Sequence, residues 1–330
     1  MGCQLCKDTD PHEIELDGND QPQQKKLKSA KKPRALKSSP PKTFIPSKHV
    51  STVQAGFTID SIAQISSDSF AVGLSNGVIA VYSISSSAAT QQYTLSGHTG
   101  TVKALIKLKD GRLCSGGGDS SMKIWRLYER RLDVDITPHT NWVNALLQPK
   151  DSDIVITGSS DNTIKVIDLL NSNQVSHTFN VEKNVDCLCD LGENKFASNS
   201  GDGIVIWDLN TKTKLHEFEG AFSTVVSMVY LESGQLITGA ENGNIKIYDI
   251  NTKQRVATLK DSGKLGMIAM VSKNVLAVTI GNGIKLWNIN EKTEIRTLTG
   301  HTEDVKVALV MNEEKFLVSG GNDKAIKLWQ

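Results

Sequence analysis

The chain has 330 residues, with 37 Lys and Arg against 36 Asp and Glu. The near-zero net charge excludes a globally basic nucleic-acid binder, and no run of about 18 apolar residues is present to form a membrane-spanning helix. Charge is nevertheless uneven, because residues 8–20 hold six acidic and no basic residues, whereas residues 25–48 hold nine basic and no acidic ones. The chain therefore has two physically different parts.

Residues 1–46 are predicted to be a disordered tether. Six of the eight prolines lie there, and apolar residues recur at neither a helical nor a strand period. Such a segment buries too little apolar surface to offset its ordering entropy, and its reach is about 35 Å. No apolar stretch typical of a secretory signal follows Met1. The five cysteines are therefore expected to be reduced, and their odd number argues against a disulfide framework.

The chain begins MGCQLCKD, a pattern that predicts lipidation. Removal of Met1 would expose Gly2, the residue that N-myristoylation requires, and Cys3 and Cys6 stand where thiols are palmitoylated. The stretch resembles the acylated N-terminus of Src-family tyrosine kinases, some of which begin MGCxxCKD. This resemblance covers eight residues and implies acylation, not kinase activity. Cys6 departs from the myristoylation pattern, which has Ser or Thr at that position.

A basic run follows and is predicted to face an anionic membrane. One acyl chain binds membranes only reversibly, and clustered bases supply a further signal. Two alternatives are a solvated linker and a nuclear-localisation or nucleic-acid arm. Nucleic acid is disfavoured, because no aromatic side chain is interleaved for base stacking. The predicted membrane-facing bases are Lys25, Lys26, Lys28, Lys31, Lys32, Arg34 and Lys37.

From residue 47 onward the chain repeats at a period of about 40 residues. Each unit holds short apolar runs separated by turn signals such as GGDS and SSDN, and none shows a helical period. The final run of each unit carries an aromatic residue or its substitute, at Tyr82, Trp125, Ile167, Trp207, Tyr248, Trp287 and Trp329.

Gly97-His98, Gly300-His301 and Trp207-Asp208 provide the GH and WD pairs of WD-repeat (G-protein β-like) proteins, which residues 47–330 resemble. The resemblance implies an all-β, seven-bladed β-propeller whose blades are four-stranded antiparallel sheets. The last unit reaches Gln330 with only three strands, so residues 47–53 are predicted to complete the last blade as its outer strand.

In the WD-repeat family a buried network of His, Ser or Thr, Asp and Trp braces a blade. Two units match it fully, a third has Ile167 in place of Trp, and the four without the His are expected to rely on apolar packing. Recurrence at fixed repeat positions favours a structural role over a hydrolase triad. The matching residues are His98, Ser115, Asp119 and Trp125 in one unit and His301, Ser319, Asp323 and Trp329 in the other.

No catalytic residue, cofactor or metal site is predicted. Cys3 and Cys6 form a CxxC pair without a second pair at zinc spacing, and no GxxxxGK[ST] phosphate loop occurs. We therefore expect a binding protein rather than an enzyme, with no small-molecule substrate.

WD-repeat propellers typically bind partners through the loops before the innermost strand and between the second and third strands. Trp142 is the sharpest candidate, because an exposed Trp is a frequent anchor; the alternative is that it packs against its own blade. The residues that map to this face are Trp142, Phe222, Asn184, Lys264, Asp304, Ser160, Glu241 and Asn322.

Two functions are therefore considered. The first is a membrane-tethered scaffold at the cytoplasmic face, with the plasma membrane favoured, that binds protein or peptide partners. The alternative is a soluble substrate-recruiting adaptor of the ubiquitin-ligase or nuclear type in the cytosol or nucleus, with the basic run as a targeting signal. The sequence disfavours the alternative, because no F-box-like helix precedes the repeats and neither WRLY nor WDLN has the Arg of a WDxR motif.

Overall fold

A computed structural model describes residues 44–220, 223–311 and 315–330. Every regular element in these ranges is a β-strand, and none of them contains a helix long and apolar enough to cross a membrane. The predicted disordered tether, with its acylation sites and basic run, lies outside the described residues apart from residues 44–46.

The described residues form the following strands in chain order. They are β1 His49–Gln54, β2 Ile59–Gln64, β3 Ser69–Leu74, β4 Val78–Ser85, β5 Ala88–Ser96, β6 Val102–Lys107, β7 Leu113–Gly117, β8 Met122–Arg126, β9 Arg131–Ile136, β10 Val143–Leu147, β11 Ile154–Ser159, β12 Thr163–Asp168, β13 Gln174–Asn180, β14 Leu188–Gly192, β15 Lys195–Ser200, β16 Gly203–Asp208, β17 Thr213–Phe218, β18 Val225–Tyr230, β19 Gln235–Ala240, β20 Ile245–Asp249, β21 Gln254–Leu259, β22 Leu265–Ser272, β23 Val275–Ile280, β24 Gly283–Asn288, β25 Thr293–Thr299, β26 Val305–Met311, β27 Phe316–Gly321 and β28 Ala325–Trp329.

These strands form seven four-stranded antiparallel sheets. Blades 1 to 6 are β2–β5, β6–β9, β10–β13, β14–β17, β18–β21 and β22–β25, and blade 7 is β26–β28 with β1. The first strand of each blade contacts the first strands of the two neighbouring blades, and β2 meets β26 to close the ring. The seven-bladed β-propeller predicted from the repeats is confirmed.

The ends of the propeller domain meet in blade 7. β1 runs antiparallel to β28, with Thr52 opposite Lys327, and the backbone amides of Ser47 and Lys48 each donate to the Gln330 carbonyl at 2.8 Å. The outer strand predicted over residues 47–53 thus lies at His49–Gln54. Residues 44–46, which composition assigns to the tether, are described with the propeller, and Phe44 packs against the core between blades 6 and 7.

The apolar core is divided into clusters that each join two adjacent blades. Between blades 2 and 3, for example, Cys114 and Met122 pack with Val143 and Val155. Because both faces of a blade are covered in this way, its inner strands are buried on two sides. This packing explains why the sequence shows nearly continuous apolar runs instead of strict alternation.

In five of the blades, a glycine in the second strand allows the neighbouring blade to approach closely. A Cβ added to Gly116 would lie 2.7 Å from Val143 Cγ1, closer than real Cβ atoms come. Blades 4 and 6 carry Asn199 and Thr279 at this register position instead. The glycines are Gly73, Gly116, Gly158, Gly239 and Gly320, each close to a residue at or shortly before the start of the next blade's inner strand.

The two ends of the propeller carry different connections. We call the upper face the end with the loops before the inner strands and the turns between second and third strands. The lower face carries the turns between first and second strands and between third and fourth strands. Phe44 lies beside Ser272, at the end of an inner strand, and so belongs to the lower face.

Candidate partner-binding face

Trp142 lies on the upper face, immediately before β10, and its side chain is 49% exposed. Its backbone is fixed, since its amide donates to Asn141 Oδ1 at 2.8 Å and its carbonyl accepts from the Ser160 amide at 3.0 Å. The Lys103 ammonium of blade 2 lies 4.7 Å from the centre of the ring. The indole thus leans across the boundary between blades 2 and 3, with half of its surface open to a partner.

The other predicted residues of this face lie in neighbouring upper loops. Ser160 accepts from Asn144 Nδ2 at 2.8 Å, next to Trp142. Lys264 and Glu241 form an ion pair of 3.5 Å between blades 6 and 5, and the Asn322 amide donates to the Asp304 carbonyl in blade 7. Asn184 lines a groove beside Lys183. Phe222 lies outside the described residues.

The structure adds a central channel of about 300 Å³ that sequence reasoning missed. Its charged and polar lining comes from near the start of the inner strands, with Asp60 between Lys306 at 2.8 Å and Lys103 at 3.9 Å. Asn144 Nδ2 donates to Asp186 Oδ1 at 3.1 Å, and burial raises the pKa of the Asp186 carboxyl. Lys103 links this ring of charges to Trp142.

Phe57 is a second exposed aromatic residue of the upper face and was also missed. It lies two residues before β2, and its side chain is 46% exposed. Its position in the loop before an inner strand could have identified it from the sequence, as the same kind of position identified Trp142.

The His networks have the predicted partners and a buried geometry. In blade 2, His98 Nδ1 lies 3.0 Å from both carboxylate oxygens of Asp119, and its Nε2 lies 2.7 Å from Ser115 Oγ, which also accepts from Trp125 Nε1 at 2.8 Å. In blade 7, His301 contacts Asp323 at 2.8 Å and Ser319 at 2.7 Å, and Trp329 Nε1 donates to Ser319 Oγ at 2.8 Å.

Blade 3 retains this arrangement around His139, with Thr157 as the hydroxyl residue and Ile167 in place of the indole. The three hydroxyl residues, Ser115, Thr157 and Ser319, are completely buried. A substrate therefore cannot reach them, and the recurring His, Asp and hydroxyl groups brace the blades. The described residues hold no group of three or more His, Cys, Asp or Glu that could bind a metal ion.

Blades without the His were expected to rely on apolar packing alone, and blade 4 differs from this expectation. Trp207 Nε1 still donates to Ser198 Oγ at 2.9 Å. Asn199 Oδ1 also accepts from the backbone amides of Asp186 and Cys187, at 2.8 and 3.1 Å. These polar contacts hold the start of β14 against β15 where the His is missing.

Comparison with known families agrees with this architecture. The model described as "WD domain, G-beta repeat" matches residues 89–126, 131–168, 212–249 and 292–330. Each match starts near or within the outer strand of one blade and includes the first three strands of the next. This offset explains how β1 can complete the blade that contains the last match.

Relatives of the chain match it at low identity. The chicken (Gallus gallus) "Serine-threonine kinase receptor-associated protein" is 22% identical over 245 residues, which cover 72% of this chain and 69% of that protein. "Small ribosomal subunit protein RACK1" of Caenorhabditis elegans is 28% identical over 167 residues, 46% of this chain and 50% of that protein. Bovine (Bos taurus) "Striatin-3" is 22% identical over 259 residues, 72% of this chain but 28% of that protein. The matched repeats and the seven blades together show that the chain belongs to the WD-repeat family of β-propeller proteins.

Proposed function

We propose that the protein is a scaffold, tethered to the cytoplasmic face of a membrane, that binds protein or peptide partners through its upper face. The observation that carries this proposal is the half-exposed Trp142 beside the mouth of the central channel. A large aromatic side chain on a fixed backbone loses little conformational freedom when a partner covers it, which is typical of interface anchors.

The surroundings of Trp142 suit a peptide-like partner. Lys103, Asp186, Glu241 and Lys264 provide both signs of charge in the channel or on the upper loops. A polar rim around an aromatic anchor gives orientation and specificity. Two relatives, a receptor-associated protein and a ribosomal-subunit protein by name, also suit a role in assemblies.

The position of Phe44 supports a tether at the end opposite to the binding face. Phe44 and Gln330 lie on the lower face, while Trp142 lies on the upper face. A chain that leaves from the lower face keeps the upper face free, and tethering raises the effective concentration of partners on the same membrane. The anchor forms when the α-amino group of Gly2 attacks an acyl-coenzyme A thioester, so that an amide forms and the thiol leaves.

Fractionation of cells that express Gly2→Ala beside the wild type tests the tether. We expect the wild type in the membrane fraction with an acyl group on Gly2 by mass spectrometry, and the variant in the soluble fraction. Gly18→Ala is the matched control and should behave as the wild type does. A Gly2→Ala protein that stays with membranes would refute the tether. A wild type found in cytosol or nucleus would favour the soluble adaptor.

A further inference from the structure

The lower face carries a cavity of about 620 Å³ at blades 5, 6 and 7. This volume lies in the range of about 300–1,000 Å³ that is typical of small-ligand sites. The lining has more apolar than polar surface, and exposed Glu232 and Lys273 stand at its edge. Its apolar residues are Tyr230, Leu231, Met270, Val271, Ile289 and Val310.

The apolar character of this region is not imposed by the fold. Tyr230, Met270 and Val310 stand at one register position, near the end of the inner strand, in blades 5, 6 and 7. Blades 1, 2 and 4 carry polar or charged residues there, which are Gln64, Lys107 and Asp190, and in blade 3 the polar Gln148 directly follows Leu147, the last paired residue of β10. Three adjacent blades thus depart from the polar character of the others, and the cavity lies where they do.

The described chain enters the propeller at the rim of this cavity. Phe44 packs with Val310 against the core between blades 6 and 7, and its carbonyl accepts from Ser272 Oγ at 3.4 Å. Both Ser272 and Val310 line the cavity. Roughly 40 residues separate Gly2 from Phe44, far more than is needed to bring the N-terminus back to this rim.

We propose that this cavity binds the fatty acyl chain on Gly2, so that the propeller and the membrane compete for the acyl chain. The inference rests on the proposed acylation. A leucine of the preceding segment, such as Leu36, offers one short side chain, whereas a myristoyl chain offers many methylene groups that each favour burial. The acyl chain therefore gains more from burial in this apolar cavity than any side chain of the tether does.

Binding of N-myristoylglycine to full-length Gly2→Ala protein tests the cavity without the native anchor. We expect saturable binding by calorimetry, and at least tenfold weaker binding when Met270→Gln and Val310→Gln are added. Glutamine occupies the same position in blade 1, at Gln64, so the fold accommodates it. Lys107→Gln is the matched control in blade 2 and should leave the affinity unchanged. Absent binding, or equal binding by the Met270→Gln/Val310→Gln protein, would overturn the inference and leave the membrane anchor standing.

Vesicle binding of the acylated protein tests the competition with membrane. On phosphatidylcholine vesicles with phosphatidylserine, we expect the Met270→Gln/Val310→Gln protein to bind at least threefold more tightly than the wild type, because its acyl chain is no longer held by the propeller. Equal vesicle affinities would contradict the inference. Mass spectrometry of the same samples separates the two proposals, since a missing acyl group overturns the anchor and with it this occupant.

Discussion

The tryptophan near the end of the third strand has a hydrogen-bond partner in three blades and none in blade 6. Trp125, Trp207 and Trp329 each donate to a serine hydroxyl, whereas Trp287 Nε1 is buried without a partner among the described residues. The cause is Val278, which occupies the register position of that serine. An unsatisfied buried donor costs about 1–3 kcal/mol.

Val278→Thr supplies the missing acceptor. We expect the free energy of unfolding of Val278→Thr to exceed that of Val72→Thr by about 1 kcal/mol, because the hydroxyl introduced at position 278 meets an indole N–H and the one at position 72 does not. Val72 is the matched control, since it has the same position in blade 1, is equally buried, and lies in a blade with Tyr82 instead of Trp. Equal free energies of unfolding for the two variants in urea denaturation would contradict this explanation of Trp287.

The buried histidines predict the acid sensitivity of the fold. Burial lowers the pKa of His98, His139 and His301, and their paired carboxylates offset this only in part. A lowered folded-state pKa means that the unfolded chain binds more protons below about pH 6.5, so stability falls as pH decreases through that value. Thermal melts should show a constant Tm above pH 7 and a falling Tm from pH 6.5 to 5. A Tm that rises over that interval would refute this.

The aspartates of two networks add a second loss of stability at lower pH. Burial of Asp119 opposes its ionisation, but bonds from Ser121, the Thr99 amide and His98 outweigh it and lower its pKa to about 2. The pKa of Asp161 is also lowered to about 2. The stabilisation of the fold by these two ionised carboxylates is therefore complete above about pH 4 and is lost as pH falls toward 2.

At the scale of the element, β1 is the strand that decides whether the ring is closed. Removal of residues 1–55 deletes β1 and leaves β28 as an open sheet edge, whereas removal of residues 1–42 keeps both β1 and Phe44. We expect the shorter truncation to melt within about 2 °C of the full chain and the longer one to melt at least about 5 °C lower, the shift expected for a few kcal/mol. Equal melting temperatures would show that β1 contributes nothing to closure.

At the scale of the whole molecule, the repeat period predicted the number of blades, and the resemblance to WD-repeat proteins predicted the face that carries Trp142. The central channel and the orphaned Trp287 could not be predicted, because each depends on which residues meet after the strands pair. Lys103 and Lys306 meet Asp60 although the repeats themselves do not specify charge at that position. The lower cavity likewise depends on three residues that differ from their counterparts in other blades.

Partner capture from membranes by wild type, Trp142→Ala and Tyr128→Ala proteins tests the central claim most directly. Tyr128 is the matched control, because it is an exposed aromatic residue, 99% accessible, in the lower-face turn between β8 and β9. We expect Trp142→Ala to capture at least tenfold less partner than the wild type in quantitative mass spectrometry, and Tyr128→Ala to capture as much as the wild type. Capture unaffected by Trp142→Ala but lost with Tyr128→Ala would contradict the assignment of binding to the upper face.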